Sequence, residues 1–567
     1  MKAARISIAV LAALVLCSCG GRTGESRQIW LASEGTGVPV FSIDRKGGVT
    51  PLDTLPRGTR LEVSDEGRTK VDGQAYLPVK YGKRGAYVAK SAVAEDPAGT
   101  VLEKTLYVRT TASIIDDTLA SHVGGLARKE SELGVLGFDR LLPDGGVNRY
   151  LVQCGRAKGW LYGRYTAASK EEASRRYDRF DEAHAKVRNS FRGGEALGCE
   201  FEPYPKLTAP ARVMPDPCYA FYLPISPGNL RRIDDYIALA DSTRVNAFII
   251  DIKDNECPGY KAEAMKKHSP TNYARANAKQ DRLYEEVVRK LHEHGYWVAG
   301  RITCFKDTYF AKDHPGASIS DKATGEPFLH NKSYWPSAYS RDVWQFNVEL
   351  AKESVQRFGL DEINFDYVRF PDKMISIDTL VNYHNAYGES KVQAIQNFVR
   401  YACDELHPLG VYVSIDVFGE SANPGYTTAY GQYWPAISNI ADAICAMPYP
   451  DHFANHYYGI DKPWNHPYEI LNAWGARVQG RQAVTPSPAI VRTWIQAYHI
   501  MKHVDRNGID NDASFIWKQV RGLFDAGLKG GYSTWLSSGN ISVYRSQKEA
   551  YAVDYTQPSD SLKTVAR

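Results

Sequence analysis

Two aspartates occupy comparable places in two stretches of the chain: Asp366 in DEINFDYVRFP (361–371) and Asp416 in VYVSIDVFGE (411–420). In both, apolar and polar residues alternate with the period of a β-strand. Ile363, Phe365 and Tyr367 fall on one face and Glu362, Asn364 and Asp366 on the other; Val411, Val413, Ile415 and Val417 oppose Tyr412, Ser414, Asp416 and Glu420. A carboxylate on such a strand needs water, a partner or a reaction. Two carboxylates facing each other across a cleft are the equipment for glycosidic cleavage, one kept protonated as general acid and the other ionised as nucleophile or base. Glu420 is a rival to Asp416 for the acid.

The elements that must hold these groups begin near residue 200. Apolar strands alternate with amphipathic helices: YAFYLPI, NAFIIDIKD, YWVAGRITCF, INFDYVRF, VYVSIDVFGE, ISNIADAICAMPYP, RQAVTPSPAI and GGYSTWLS are the strand-bearing stretches. About eight strand units between residues 200 and 545 predict an α/β fold, a (β/α)8 TIM barrel with its site at the C-terminal ends of the strands. An open doubly wound sheet is the alternative, but no glycine-rich phosphate loop follows the first strand. Parity sends Asp251, Lys253, Arg301 and Thr303 inward as well. A structural salt network among Asp251, Lys253, Arg301 and Asp366 is the competing account of that charge, strongest for Asp251 and Lys253.

The stretches AFIIDIKD, DEINFDYVRFPD, SIDVFG and AMPYPDHF resemble a bacterial family of glycosyl hydrolase domains with a TIM-barrel fold, related at barrel level to α-amylase-like hydrolases. The resemblance covers residues from about 219 to 540, and FDYVRFP is its most specific motif. It implies a nucleophile at Asp366 and an acid on strand five, where Asp416 matches by parity although the amylase acid is a glutamate. Accessory roles follow from position: Arg369 to orient a carboxylate, Tyr449, Asp451 and His452 to contact sugar hydroxyls, Trp494 and Trp535 as stacking platforms, with Asp251, Lys253 and Arg301 beside the substrate. The implied partner is a polysaccharide, and no cofactor is expected.

The flanking sequence bears on where such chemistry would act. MKAARISIAVLAALVLCSCGG places Lys2 and Arg5 before an apolar run, and Leu16-Cys17-Ser18-Cys19 resembles a lipobox. Residues 1–18 are read as a lipoprotein signal and Cys19 as the lipidated residue, so the protein is expected outside the cytoplasm, held to a bacterial membrane by lipid alone. Residues 28–95 and 100–168 resemble bacterial SH3-like β modules, expected to dock onto peptidoglycan. Residues 169–195 read as a charged linker helix and 546–567 as a tail. The 69 basic and 65 acidic residues give a charge of only +4, which argues against nucleic acid, whereas 36 Tyr and 11 Trp suit carbohydrate. His452, His456 and His466 lack a metal-ligand spacing. Cys199 and Cys218 are the pair to consider for a disulfide. A non-catalytic carbohydrate- or peptidoglycan-binding surface lipoprotein is the second functional reading.

Overall fold

A computed structural model describes residues 27–557, apart from 33–36, 65–68, 83, 101–102, 177–187, 190–193, 196–197, 373–375 and 424–429. The expected signal and Cys19 lie outside the described residues. The chain divides into two compact units, residues 1–104 with 136–149, and residues 105–135 with 150–567.

The first unit is all β up to residue 94, a five-stranded and a three-stranded sheet around Ile29, Leu31, Val38, Val40, Leu77, Val79 and Val88. In the second unit a parallel sheet runs through β1 (Cys218–Leu223), β2 (Ala247–Asp254), β3 (Trp297–Thr303), β4 (Glu362–Asp366), β5 (Tyr412–Phe418), β6 (Ala443–Met447), β7 (Ile490–Val491), β8 (Thr493–Gln496) and β9 (Gly531–Trp535). Their order is β7-β6-β5-β4-β3-β2-β1-β9-β8. Only Arg492 separates β7, paired with β6, from β8, paired with β9. The two ends of the sheet are thus one chain segment, and the sheet comes round into a nearly closed barrel.

Helices fill the connections, among them α1 (Ile233–Asp241), α2 (Asp281–Glu293), α3 (Arg341–Phe358), α4 (Lys391–Leu406), α5 (Pro467–Ala483) and α6 (Ala513–Asp525). The outward residues of the strands pack on them: Phe365 of β4 meets Phe398 of α4 edge to face at 5.7 Å. Ser390 and Gln393 close α4 with a reciprocal capping box, which fixes where the helix begins behind β4 and β5.

Several expected boundaries move. RQAVTPSPAI is not the seventh strand: α5 runs to Ala483 and pairing starts at Ile490. Pro486 and Pro488 cannot donate to a central ladder, so the strand waits until they are passed. Within the expected linker helix, Lys170–Ser174 is helical and Arg188–Asn189 pairs with Gly194–Glu195; residues 177–187 and 190–193 lie outside the described residues. The tail is partly core, since Tyr551 and Tyr555 are buried, Tyr551 edge-on to Phe221 of β1. Cys199 and Cys218 are free thiols, as are the other five cysteines of the described residues.

The second sheet, between Thr105 and Ala167, contributes Tyr162, Arg164 and Tyr165 to the carboxylate of Asp404 and its surroundings on α4. Tyr204 donates to the same carboxylate at 2.8 Å. Within the second unit, this sheet is fixed to the barrel by buried charge.

Candidate active site

The cleft opens at the C-terminal ends of the strands, as barrel geometry requires. Its walls are Asp254, Arg301, Asp366, Tyr367, Arg369, Asp416, Phe418, Met447, Tyr449, His452, Trp494 and Trp535, enclosing about 690 Å³ including its open mouth.

Arg301 of β3 organises the floor. Its Nη1 donates to Asp251 Oδ1 at 2.7 Å and its Nη2 to Asp366 Oδ2 at 2.5 Å. Nε lies 4.0 Å from Asp416 Oδ2 and has no hydrogen-bond partner among the described residues. One guanidinium therefore spans both strand-end carboxylates and leaves a gap beside one of them. Asp251 sits beneath, 1% exposed, with Tyr222 donating to its Oδ2 at 2.6 Å. Burial pushes its carboxyl up to about 6, against the pull of Arg301.

Asp416 is the more enclosed of the strand-end pair. Its Oδ1 accepts from Asn364 Nδ2 at 2.9 Å and Trp494 Nε1 at 2.8 Å. Burial, then the charge of Asp366, holds its carboxyl well above the usual carboxylate range; Arg301, Trp494 and Asn364 pull the other way without prevailing. A carboxyl buried beside another carboxylate favours its protonated form, which suits Asp416 to proton donation.

Asp366 ends β4. Its backbone oxygen accepts from Cys304 N at 2.8 Å, and that of Tyr367 from Phe305 N at 3.2 Å. Between these anchors Tyr367 takes a left-handed φ of 51°, a conformation costly for a bulky residue and common beside active sites. Alternation assigns Tyr367 to the helix side; the turn swings it into the cleft wall instead.

A family model described as "Putative glycosyl hydrolase domain" matches residues 220–540. The chain belongs to this family. No curated protein matches the chain. Among solved structures, a hypothetical protein from Ruminiclostridium thermocellum is 30% identical, with 35% of this chain and 97% of that one covered and a TM-score of 0.30. The PgaB (BpsB) glycoside hydrolase domain from Bordetella bronchiseptica is 12% identical, with 60% and 99% covered and a TM-score of 0.43. The Bacillus megaterium spore cortex-lytic enzyme SleL is 9% identical, with 60% and 75% covered and a TM-score of 0.36.

In this glycosyl-hydrolase-like barrel, some residues picked from sequence converge and others do not. Asp366, Asp416, Arg301, Arg369, Tyr449, His452, Trp494 and Trp535 line the cleft. Trp494 presents no open face: it is 1% exposed and spends its indole N–H on Asp416. Trp535 lies 5.2 Å from the Arg301 guanidinium carbon. Glu420 is absent from the walls; it sits in the 3-10 turn after β5 and accepts from Tyr430. Asp451 is buried behind the rim, its carboxylate taken by Tyr498 OH at 2.8 Å and Met501 N at 3.1 Å.

Lys253 points away from the cleft. Asp251 pairs with Arg301, but Lys253 pairs with Ile302, so an irregularity between them shifts the parity by one residue. Lys253 is buried outside the barrel, donating to Asp307 Oδ2 at 2.9 Å, and Asp254 takes the place in the wall. Deeper in the barrel, Glu362 forms a two-pronged pair with Arg492, helped by Trp297 Nε1 at 3.0 Å; these bonds hold its carboxyl below the usual range despite burial. Among the described residues no group of three His, Cys, Asp or Glu is placed to hold a metal ion.

Proposed function

We propose that the barrel is a glycoside hydrolase of cell-envelope or environmental polysaccharide, in which Asp416 protonates the leaving oxygen and Asp366 attacks the anomeric carbon. The observation that carries this reading is the strand-end pair beside one guanidinium, Asp366 bonded to Arg301 at 2.5 Å and Asp416 buried 4.0 Å from its Nε with its carboxyl pushed up. Protonation by Asp416 lets the C–O bond break as positive charge grows on the sugar ring, and Asp366 is placed to meet that charge. Asp416, now a carboxylate, takes a proton from the water that releases the glycosyl-enzyme and is ready for the next cycle. Double displacement of this kind retains the anomeric configuration and needs the two carboxyl groups about 5–5.5 Å apart, whereas inversion needs about 6.5–9.5 Å, so product stereochemistry tests the step. The lipobox-like sequence at Cys19 supports an enzyme anchored by lipid outside the cytoplasm.

The test is a glycan panel that includes peptidoglycan, offered to residues 24–567. Asp366→Asn is expected to cut turnover of any hydrolysed glycan by about 10³-fold or more in a chain that circular dichroism shows to be folded. Retained turnover in that variant sinks the assignment. Glycan binding without hydrolysis, indifferent to the same substitution, favours a carbohydrate-binding lipoprotein instead.

A further inference from the structure

The mechanism above makes no use of Arg369, a cleft guanidinium with no carboxylate at hydrogen-bond distance among the described residues. Arg369 is 6% exposed and lines the same walls as Asp366. Its guanidinium carbon lies 4.3 Å from the ring centre of Phe418, 4.9 Å from Tyr367 and 5.1 Å from Trp335. Nη1 donates to the backbone oxygen of Phe370 at 3.1 Å. Asp372 Oδ1 is 3.7 Å away on a side chain 35% exposed, too far for a hydrogen bond. Arg301 and Arg492, by contrast, have both terminal nitrogens on carboxylates, those of Asp251 and Asp366 and that of Glu362. A guanidinium carries five donors in a rigid plane matched to a carboxylate. Three aromatic rings surround this one, and among the described residues only its Nη1 donates a hydrogen bond. Lys306 adds a second cation against the same rings, its Nζ 4.9 Å from the centre of Tyr367 and 5.9 Å from Trp335. The charged and titratable groups facing Arg369 are Asp366, Asp372, Tyr367 and Tyr430, and burial outweighs them, so its ionised form is less comfortable than that of an ordinary arginine.

We infer that Arg369 binds a carboxylate on the sugar next to the scissile bond, so that the substrates are acidic glycans. This rests on the reading of the cleft as a glycosidase site and narrows it. A uronic acid and the lactyl ether of a muramic acid both carry the required group.

The experiment measures binding to the Asp366→Asn chain by calorimetry. The probes are trigalacturonate, triglucuronate, peptidoglycan glycan strands with free lactyl carboxylates, and the carboxyl-reduced form of each. At least one acidic probe is expected to bind tenfold or more tighter than its reduced form, and which one does so tells uronate from lactyl recognition. Adding Arg369→Gln should bring that ratio close to one, while Arg369→Lys, which keeps the charge but not the fork, should leave part of it; melting curves confirm that each variant is folded. Equal affinity for acidic and reduced forms, binding of neither, or a preference that survives Arg369→Gln overturns the inference. If the wild-type chain binds the acidic probe selectively but never cleaves it, the glycosidase reading fails and the role of Arg369 stands.

Discussion

Burial and the charge of Asp366 push the Asp416 carboxyl up, and its nearest hydrogen-bond donors set how far. The indole of Trp494 and the amide of Asn364 both stabilise the ionised carboxylate. Removing either donor raises the pKa further. If Asp416 is the acid, turnover must fall as pH rises through its raised pKa, because the ionised form has no proton to give. Trp494→Phe is therefore expected to move the alkaline limb of the kcat/KM profile to higher pH, by up to about one unit for a single lost hydrogen bond. An unmoved limb in an active variant would assign it to another group. Asp366, Asp416 and Arg301 were legible in the sequence because two-residue alternation survives to the ends of β3, β4 and β5. Tyr367 was not, because a left-handed φ at a tyrosine is imposed by the anchoring of β4 to Cys304 and Phe305, which no local pattern records.

The same rule fails at β2, where a single irregularity exchanges Lys253 for Asp254. Nothing in NAFIIDIKDNE announces it, since both residues are polar and either would satisfy the alternation. The exchange sends the lysine to Asp307, the N-cap of Thr308–Asp313, whose Oδ1 also accepts from Phe310 N at 2.9 Å. Both side chains are essentially inaccessible, 0% and 1% exposed. Breaking one partner of such a pair strands the other charge and costs about 3–5 kcal/mol. Lys253→Met should lower unfolding stability by that order in urea titration while leaving the pH profile of any hydrolysis unchanged. A shifted profile with unaltered stability would return Lys253 to the site. The segment of β7 and β8 shows a related limit: the apolar signal of Ile490–Gln496 is diluted by Arg492, Thr493 and Gln496, all of them buried.

At the scale of the whole molecule, the β/α rhythm and the two all-β stretches were readable because each repeats over many residues. The attachment of the second β stretch was not, since a handful of residues 240 positions apart decide it. A docking module free of its enzyme would meet the barrel through water and surface polar groups. Here the carboxylate of Asp404 instead receives Tyr165 OH at 2.7 Å, Tyr204 OH at 2.8 Å and the guanidinium of Arg164. Next to it, Glu405 takes Lys352 Nζ at 2.5 Å and the hydroxyl of Ser121. Such a junction contributes only while every member is present, because each hydroxyl loses its acceptor when the carboxylate goes. Asp404→Ala should cost about 3–5 kcal/mol, appearing as a lower urea midpoint. The decisive observable is the shape of the transition: sheet and barrel should still unfold together in wild type, with tryptophan fluorescence and far-UV circular dichroism coincident. A loss below about 1 kcal/mol, the range of an exposed ion pair, would mean that the sheet is held at arm's length after all and is a module in its own right.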